Sequence, residues 1–234
     1  MNTMKVLIIN TLFLLSAFSL NAQDVVDLAA FDGVSVLGNI KVTLVKGEKA
    51  QAIVETHDIS EDAVSIFVKH GVLKLQLLKT MFRNNEEVNI KVIYTSELDF
   101  IKASAGAEIS AKETIKSHDI EIKASSGAEI DIVIDVEKLK VQVGEGAKIE
   151  LSGTAQRQYA SATTGGEYDG MDLQCQETHA KANTGGQAAV LALQSLEAKA
   201  NTGGYIEYGG QPKTKNINSA LSGKIRKTKK VLTQ

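Results

Sequence analysis

Between residues 98 and 206 apolar and polar residues alternate in short runs, and one nine-residue pattern returns six times. The copies are Ile101–Ile109, Ile122–Ile130, Val141–Ile149, Ala160–Tyr168, Ala180–Ala188 and Ala198–Ile206. Each carries a glycine at its sixth place: Gly106, Gly127, Gly146, Gly165, Gly185 and Gly203, spaced 21, 19, 19, 20 and 18 residues apart. With that glycine as position zero, −5 and −3 are apolar in every copy, from Ile101/Ala103 to Ala198/Ala200. Position −4 is polar throughout (Lys102, Lys123, Gln142, Ser161, Lys181, Lys199), and +3 is again apolar, with Tyr168 in the fourth copy. Strict alternation is the period of a strand with one buried face.

Each unit therefore reads as strand, glycine corner, strand and return. The glycine permits a positive φ or a close backbone approach at the corner. Such a unit cannot bury its apolar face alone, but stacking at about 4.8 Å per coil gives a continuous interior. The fold predicted over 98–223 is all-β: a β-solenoid, single-stranded and β-helix-like, of about six coils of 18–21 residues. Right-handed winding is expected from general frequency. The competing arrangement is a sandwich of hairpins. Against it, Asp-Gly tips occur only at Asp32-Gly33 and Asp169-Gly170. The inward pairs shrink to Ala/Ala in the last three copies, which leaves room that Tyr168 is expected to fill.

Residues 23–97 alternate in the same way without the glycine register. Strands are predicted at Val34–Val36, Ile40–Leu44, Ala52–Val54, Val64–Val68, Val72–Leu77 and Val88–Tyr94, with a turn at His70-Gly71 and a loop over Thr80 to Glu87. They read as irregular early coils or as a small sheet capping the stack, in one continuous domain with the repeats. Lys5, the apolar run from Val6 to Leu20, and Leu20-Asn-Ala22 fit a secretory signal peptide over residues 1–22. The chain is thus expected to be exported to the periplasm, the outer membrane or the cell surface.

Charge adds little. The formal net charge is −2, or −3 without Lys5, which gives no sign of nucleic-acid binding. Locally, Lys224 to Lys230 holds five cations in seven residues. This basic tail (224–234) reads as a solvated end, or as a contact with an anionic membrane surface. Cys175 is the only cysteine, so no internal disulfide framework exists, and its place before the Ala180 strand predicts an inward, inert thiol.

At this point the chain resembles a known family, the secreted domain described as a putative autotransporter adhesin, head GIN domain. The resemblance rests on Phe31–Val36, Gly38–Leu44, the Ala-Ser-Xaa-Gly-Ala-Glu-Ile units, and Gly204–Pro212. It spans about Phe31 to Gly223. Later units depart from it, with Thr-Gly-Gly where Ser-Gly-Ala or Ser-Gly-Ser is expected. The resemblance implies a β-helix-like architecture and an envelope or surface location. It transfers no catalytic residue.

Candidate chemistry is sparse. His57, His70, His118 and His179 show no metal spacing with one another or with Cys175, and no nucleophile or phosphate-loop motif is present. No cofactor or metal is expected. Glu108 and Glu129 at +2 would stack in adjacent coils beside Lys102 and Lys123. That reads as a solvated salt-bridge ladder rather than as the paired carboxylates of a polysaccharide-cleaving enzyme. A carbohydrate-binding surface is the better alternative. It would use Lys181 and Lys199, Asn183 and Asn201, and the tyrosines Tyr205 and Tyr208 of the last coil. Against it, the two asparagines also suit an amide ladder, and the tyrosines suit a cap on the open end of the core. The function expected is a non-enzymatic, secreted interaction module that contacts a cell-surface polymer or protein.

Overall fold

The computed structural model describes residues 24–55, 64–78 and 88–228. The signal-peptide reading of residues 1–22, the loop reading of Thr80 to Glu87, and the last residues of the basic tail lie outside them. The N-terminal strands are β1 (Asp24–Asp27), β2 (Gly33–Leu37), β3 (Ile40–Lys46), β4 (Gln51–Val54), β5 (Val64–Lys69), β6 (Val72–Leu77) and β7 (Val88–Tyr94). The repeats supply β8 (Phe100–Ser104), β9 (Glu108–Ala111), β10 (Ile115–Ser125), β11 (Glu129–Val143), β12 (Lys148–Thr163) and β13 (Glu167–Asn183). Then come β14 (Gln187–Leu191), β15 (Ser195–Ala200), β16 (Tyr205–Gly209), β17 (Thr214–Ser219) and β18 (Lys224–Lys227).

The repeats form a β-solenoid, as the alternation requires. Equivalent positions of successive copies pair in parallel register: Ile101 with Ile122, Ile122 with Val141, then Ala160, Ala180 and Ala198 in turn. Each inward position thus becomes a column along the stack. Ile101, Ile122, Val141, Ala160, Ala180 and Ala198 are all buried, and so is the +3 column from Ile109 to Ile206. Tyr168 is 1% exposed, so the bulky ring occupies the interior that the alanine copies leave open.

The corners explain the glycines. At the second corner Ser126 and Gly127 have φ of 54° and 71°, and the Ala128 amide donates to the Ser125 carbonyl at 3.3 Å. Two left-handed central residues are the signature of a type I′ turn, which a side chain tolerates poorly. A Cβ on Gly127 would meet nothing within 4 Å, so φ alone selects glycine there. The second glycine of the later Gly-Gly pairs does a different job. A Cβ on Gly204 would collide with the Ala182 carbonyl of the preceding coil.

A seventh corner follows at Leu221-Ser222, with φ of 48° and 67° and the Gly223 amide bonded to Ala220 O at 3.0 Å. Serine replaces glycine at position zero, which hid this coil from a glycine count. Lys224–Lys227 pairs as β18 with Tyr205–Tyr208 of β16. These first four residues of the basic segment are therefore a strand, and a largely solvated one.

At the other end the stacking order departs from the chain order. The coil made of β2 and β3 lies between the β6–β7 coil and the β8–β9 coil, pairing in parallel with both. Its inward residues Val36 and Leu44 are fully buried. Antiparallel strands finish this end: β5 on β6 through the His70-Gly71 turn, β4 on β7, and β1 on β4. This end thus combines parallel coil pairings with antiparallel strands.

Candidate functional site

Because parallel register repeats every outward residue at coil spacing, each outward position also becomes a column. On the face before the corner, one column runs Lys74, Ser35, Lys102, Lys123, Gln142, Ser161, Lys181, Lys199 and Asn218. It holds five lysines and no carboxylate, over about 38 Å at 4.8 Å per step. Lys102 and Lys181 have no carboxylate within ion-pair distance among the described residues.

The neighbouring column supplies the counter-charges. Glu121 takes Lys140 at 2.6 Å and Lys123 at 3.1 Å. Partial burial pushes the Glu121 carboxyl up, but the two ammonium donors outweigh it and hold it below its ordinary value. Glu197 takes Lys199 at 2.5 Å and His179 Nδ1 at 3.0 Å, and these donors likewise hold it low. Tyr159, 39% exposed, stacks on His179 with ring centroids 4.7 Å apart. This column was legible in principle, since the alternation extended one step past position −5 points Tyr159 and His179 outward.

The structure divides the six sequence candidates. Lys181 and Lys199 are register partners in adjacent coils, and the Asn201 amide donates to Asn183 Oδ1 at 3.3 Å beside them. These four share one face, and the asparagines form the amide ladder. Tyr205 lies past the corner on the other face, its hydroxyl 3.4 Å from Glu207 Oε2. Tyr208 falls in the inward phase of β16 and is 8% exposed, so it closes the core and presents no ligand surface.

Past the corner one outward column mixes charges, running Lys41, Glu108, Glu129, Lys148 and Glu167, while the next carries Asp131, Glu150 and Asp169. Glu108 and Glu129 stack as expected. Their side of the corner does not meet Lys102 and Lys123, however. Glu108 pairs with Lys41 of the inserted N-terminal coil at 3.3 Å, with both side chains near half exposed. Lys148 bonds Glu150 at 2.7 Å. An open cleft of about 250 Å³ is lined by Asp131, Glu150, Asp169 and Asp172. A groove of about 430 Å³ on the return stretch is lined by His118 and Glu137, 3.2 Å apart, and by the Arg157–Glu177 ion pair at 2.7 Å. Exposed pairs of this kind contribute about 0–1 kcal/mol each. Among the described residues no three His, Cys, Asp or Glu side chains converge as metal ligands. Cys175 is buried, and burial pushes its thiol up, away from reactivity.

A family model described as "Putative auto-transporter adhesin, head GIN domain" matches residues 30–212. Among solved structures, a putative adhesin from Bacteroides fragilis superposes with a TM-score of 0.78 at 20% identity, covering 88% of this chain and 96% of that one. A putative lipid binding protein from Parabacteroides distasonis gives 0.69 at 19% identity over 88% and 96%. A putative adhesin from Parabacteroides merdae gives 0.67 at 17% identity over 89% and 96%. The search of curated proteins returned no match. At these identities the solved structures speak to the fold.

Proposed function

The chain belongs to the putative auto-transporter adhesin, head GIN domain family, and from that membership we propose an exported, non-enzymatic interaction module of the cell envelope or surface. Its working part is the outward face of the stacked coils. The observation that carries this reading is the lysine column, in which Lys102, Lys123, Lys181 and Lys199 repeat one register position along the stack. Ladder hydrogen bonds fix the backbone beneath them. A long partner therefore meets a preorganised backbone, and the ordering cost left to binding is that of the lysine side chains. The partner class that suits such a row is an extended cell-surface polymer or a protein with a matching repeat.

A second reading, binding of acidic polysaccharide, is favoured by Lys181 and Lys199 standing in adjacent coils beside the Asn183–Asn201 amide pair. Carboxylate sugars would meet the ammonium groups, and hydroxyls the amides. Retention of the chain from residue 23 onward on immobilised alginate and on neutral dextran tests both readings. Alginate retention lost on Lys181→Ala/Lys199→Ala identifies the polysaccharide reading. Shortening of the polymer, abolished by Glu108→Gln or Glu129→Gln, overturns the non-enzymatic assignment.

A further inference from the structure

The last coil differs from all the others in charge and exposure. From Gln211 onward the sequence carries seven Lys and Arg and no Asp or Glu, whereas residues 23–210 hold 18 cations against 28 acids. Five of the seven, Lys213, Lys215, Lys224, Arg226 and Lys227, lie in the described part, on or beside the terminal strands β17 and β18. All of β17 is exposed. The molecule is therefore electrically polar along its axis, basic at one end and acidic in its body.

Two apolar side chains stand among these cations. Leu221 is 75% exposed at the corner, with φ of 48°, where the other six corners carry alanine, serine, glutamate or threonine. A bulky residue at a left-handed tip is unusual and costs stability, and here it presents most of its side chain to the outside. Ile217 continues the inward column of Ala198 yet is 44% exposed. A second copy stacked on this edge is disfavoured by the same residues. Lys215 continues the inward column of Leu196, so a stacked copy would bury its charge and set like charges together.

We propose that the basic last coil is a docking surface for an anionic phospholipid bilayer, with Leu221 and Ile217 entering the interface between the cations. This goes beyond the lysine-column reading and uses a different surface. Near-surface cations and short apolar anchors reinforce one another at a negatively charged interface. Docked this way, the acidic body points away from the lipid.

Co-sedimentation of the chain from residue 23 onward tests it, with vesicles of 30% phosphatidylglycerol in phosphatidylcholine and with phosphatidylcholine alone. Binding is expected to the anionic vesicles only, and to weaken with salt. Lys224→Gln/Arg226→Gln/Lys227→Gln is expected to lower partitioning roughly 100-fold. Leu221→Gln, at an exposed corner that leaves the core untouched, lowers it severalfold without changing the melting temperature downward. Lys181→Ala/Lys199→Ala leaves vesicle binding intact, which separates this surface from the lysine column. Equal binding to neutral vesicles, no binding to either, loss on Lys181→Ala/Lys199→Ala alone, or self-association through the last coil each overturns the proposal.

Discussion

The Tyr168 hydroxyl donates a 2.9 Å hydrogen bond to Gln158 Oε1 inside the stack. Gln158 and Thr178 are the buried polar side chains among the described residues, and they occupy an inward column that reads Ile120, Leu139, Gln158, Thr178 and Leu196. Gln158 Nε2 donates to Thr178 Oγ1 at 3.0 Å, and the Thr178 hydroxyl donates to the Leu191 carbonyl at 3.2 Å. Every strong group is matched, which is what an interior of low dielectric demands.

Tyr168→Phe removes the donor and leaves Gln158 Oε1 buried and unpaired, at an expected cost of about 1–3 kcal/mol. Adding Gln158→Leu removes the orphan, so the double variant is expected to lose less than the sum of the singles. Urea unfolding of the three variants measures the coupling.

Two glycine substitutions separate conformation from crowding. Gly127→Ala meets open space and pays only for its left-handed φ, about 1–2 kcal/mol. Gly204→Ala drives a methyl into the Ala182 carbonyl and is expected to cost several times more. Conversely, Ser222→Gly at the seventh corner is expected to raise the melting temperature slightly. Differential scanning calorimetry ranks all three.

Leu44 sits in the coil inserted between two others, so its loss reaches both. Leu44→Ala is expected to cost about 2–5 kcal/mol and to raise amide exchange in β7 and β9 together. Exchange raised in β7 alone would contradict the insertion.

Glu121 is held below its ordinary value of 4.5. A depressed carboxylate adds stability that is complete above pH 4.5 and drains away as pH falls through the lower folded value. Lys140→Gln removes one of the two ammonium donors. It is expected to be less stable than the parent at pH 7 and to match it near pH 2, by thermal unfolding at each pH. An equal deficit at both would show that the ion pair is not the cause.

The repeat itself was readable because its alternation and its glycines are local necessities. A buried face fixes every second residue, and a left-handed corner favours the glycine. What escaped depends on other coils. Lys41 reaches Glu108 only because β3 is inserted beside β9, and no local pattern encodes that order. The seventh corner escaped because Ser222 tolerates a φ that glycine merely prefers. Tyr208 was a surface candidate until its phase in β16 placed it inward, although Ile206 two residues before it already gave that phase.

If the stacked face meets its partner at the cell surface rather than within the envelope, the chain must be reachable from outside the cell. Protease shaving of intact cells, with the chain followed by antibody beside a periplasmic control, tests it most directly. Loss of the chain while the control survives is the expected result. Protection of the chain until the outer membrane is opened would contradict a surface role and leave the lysine column to a partner within the envelope.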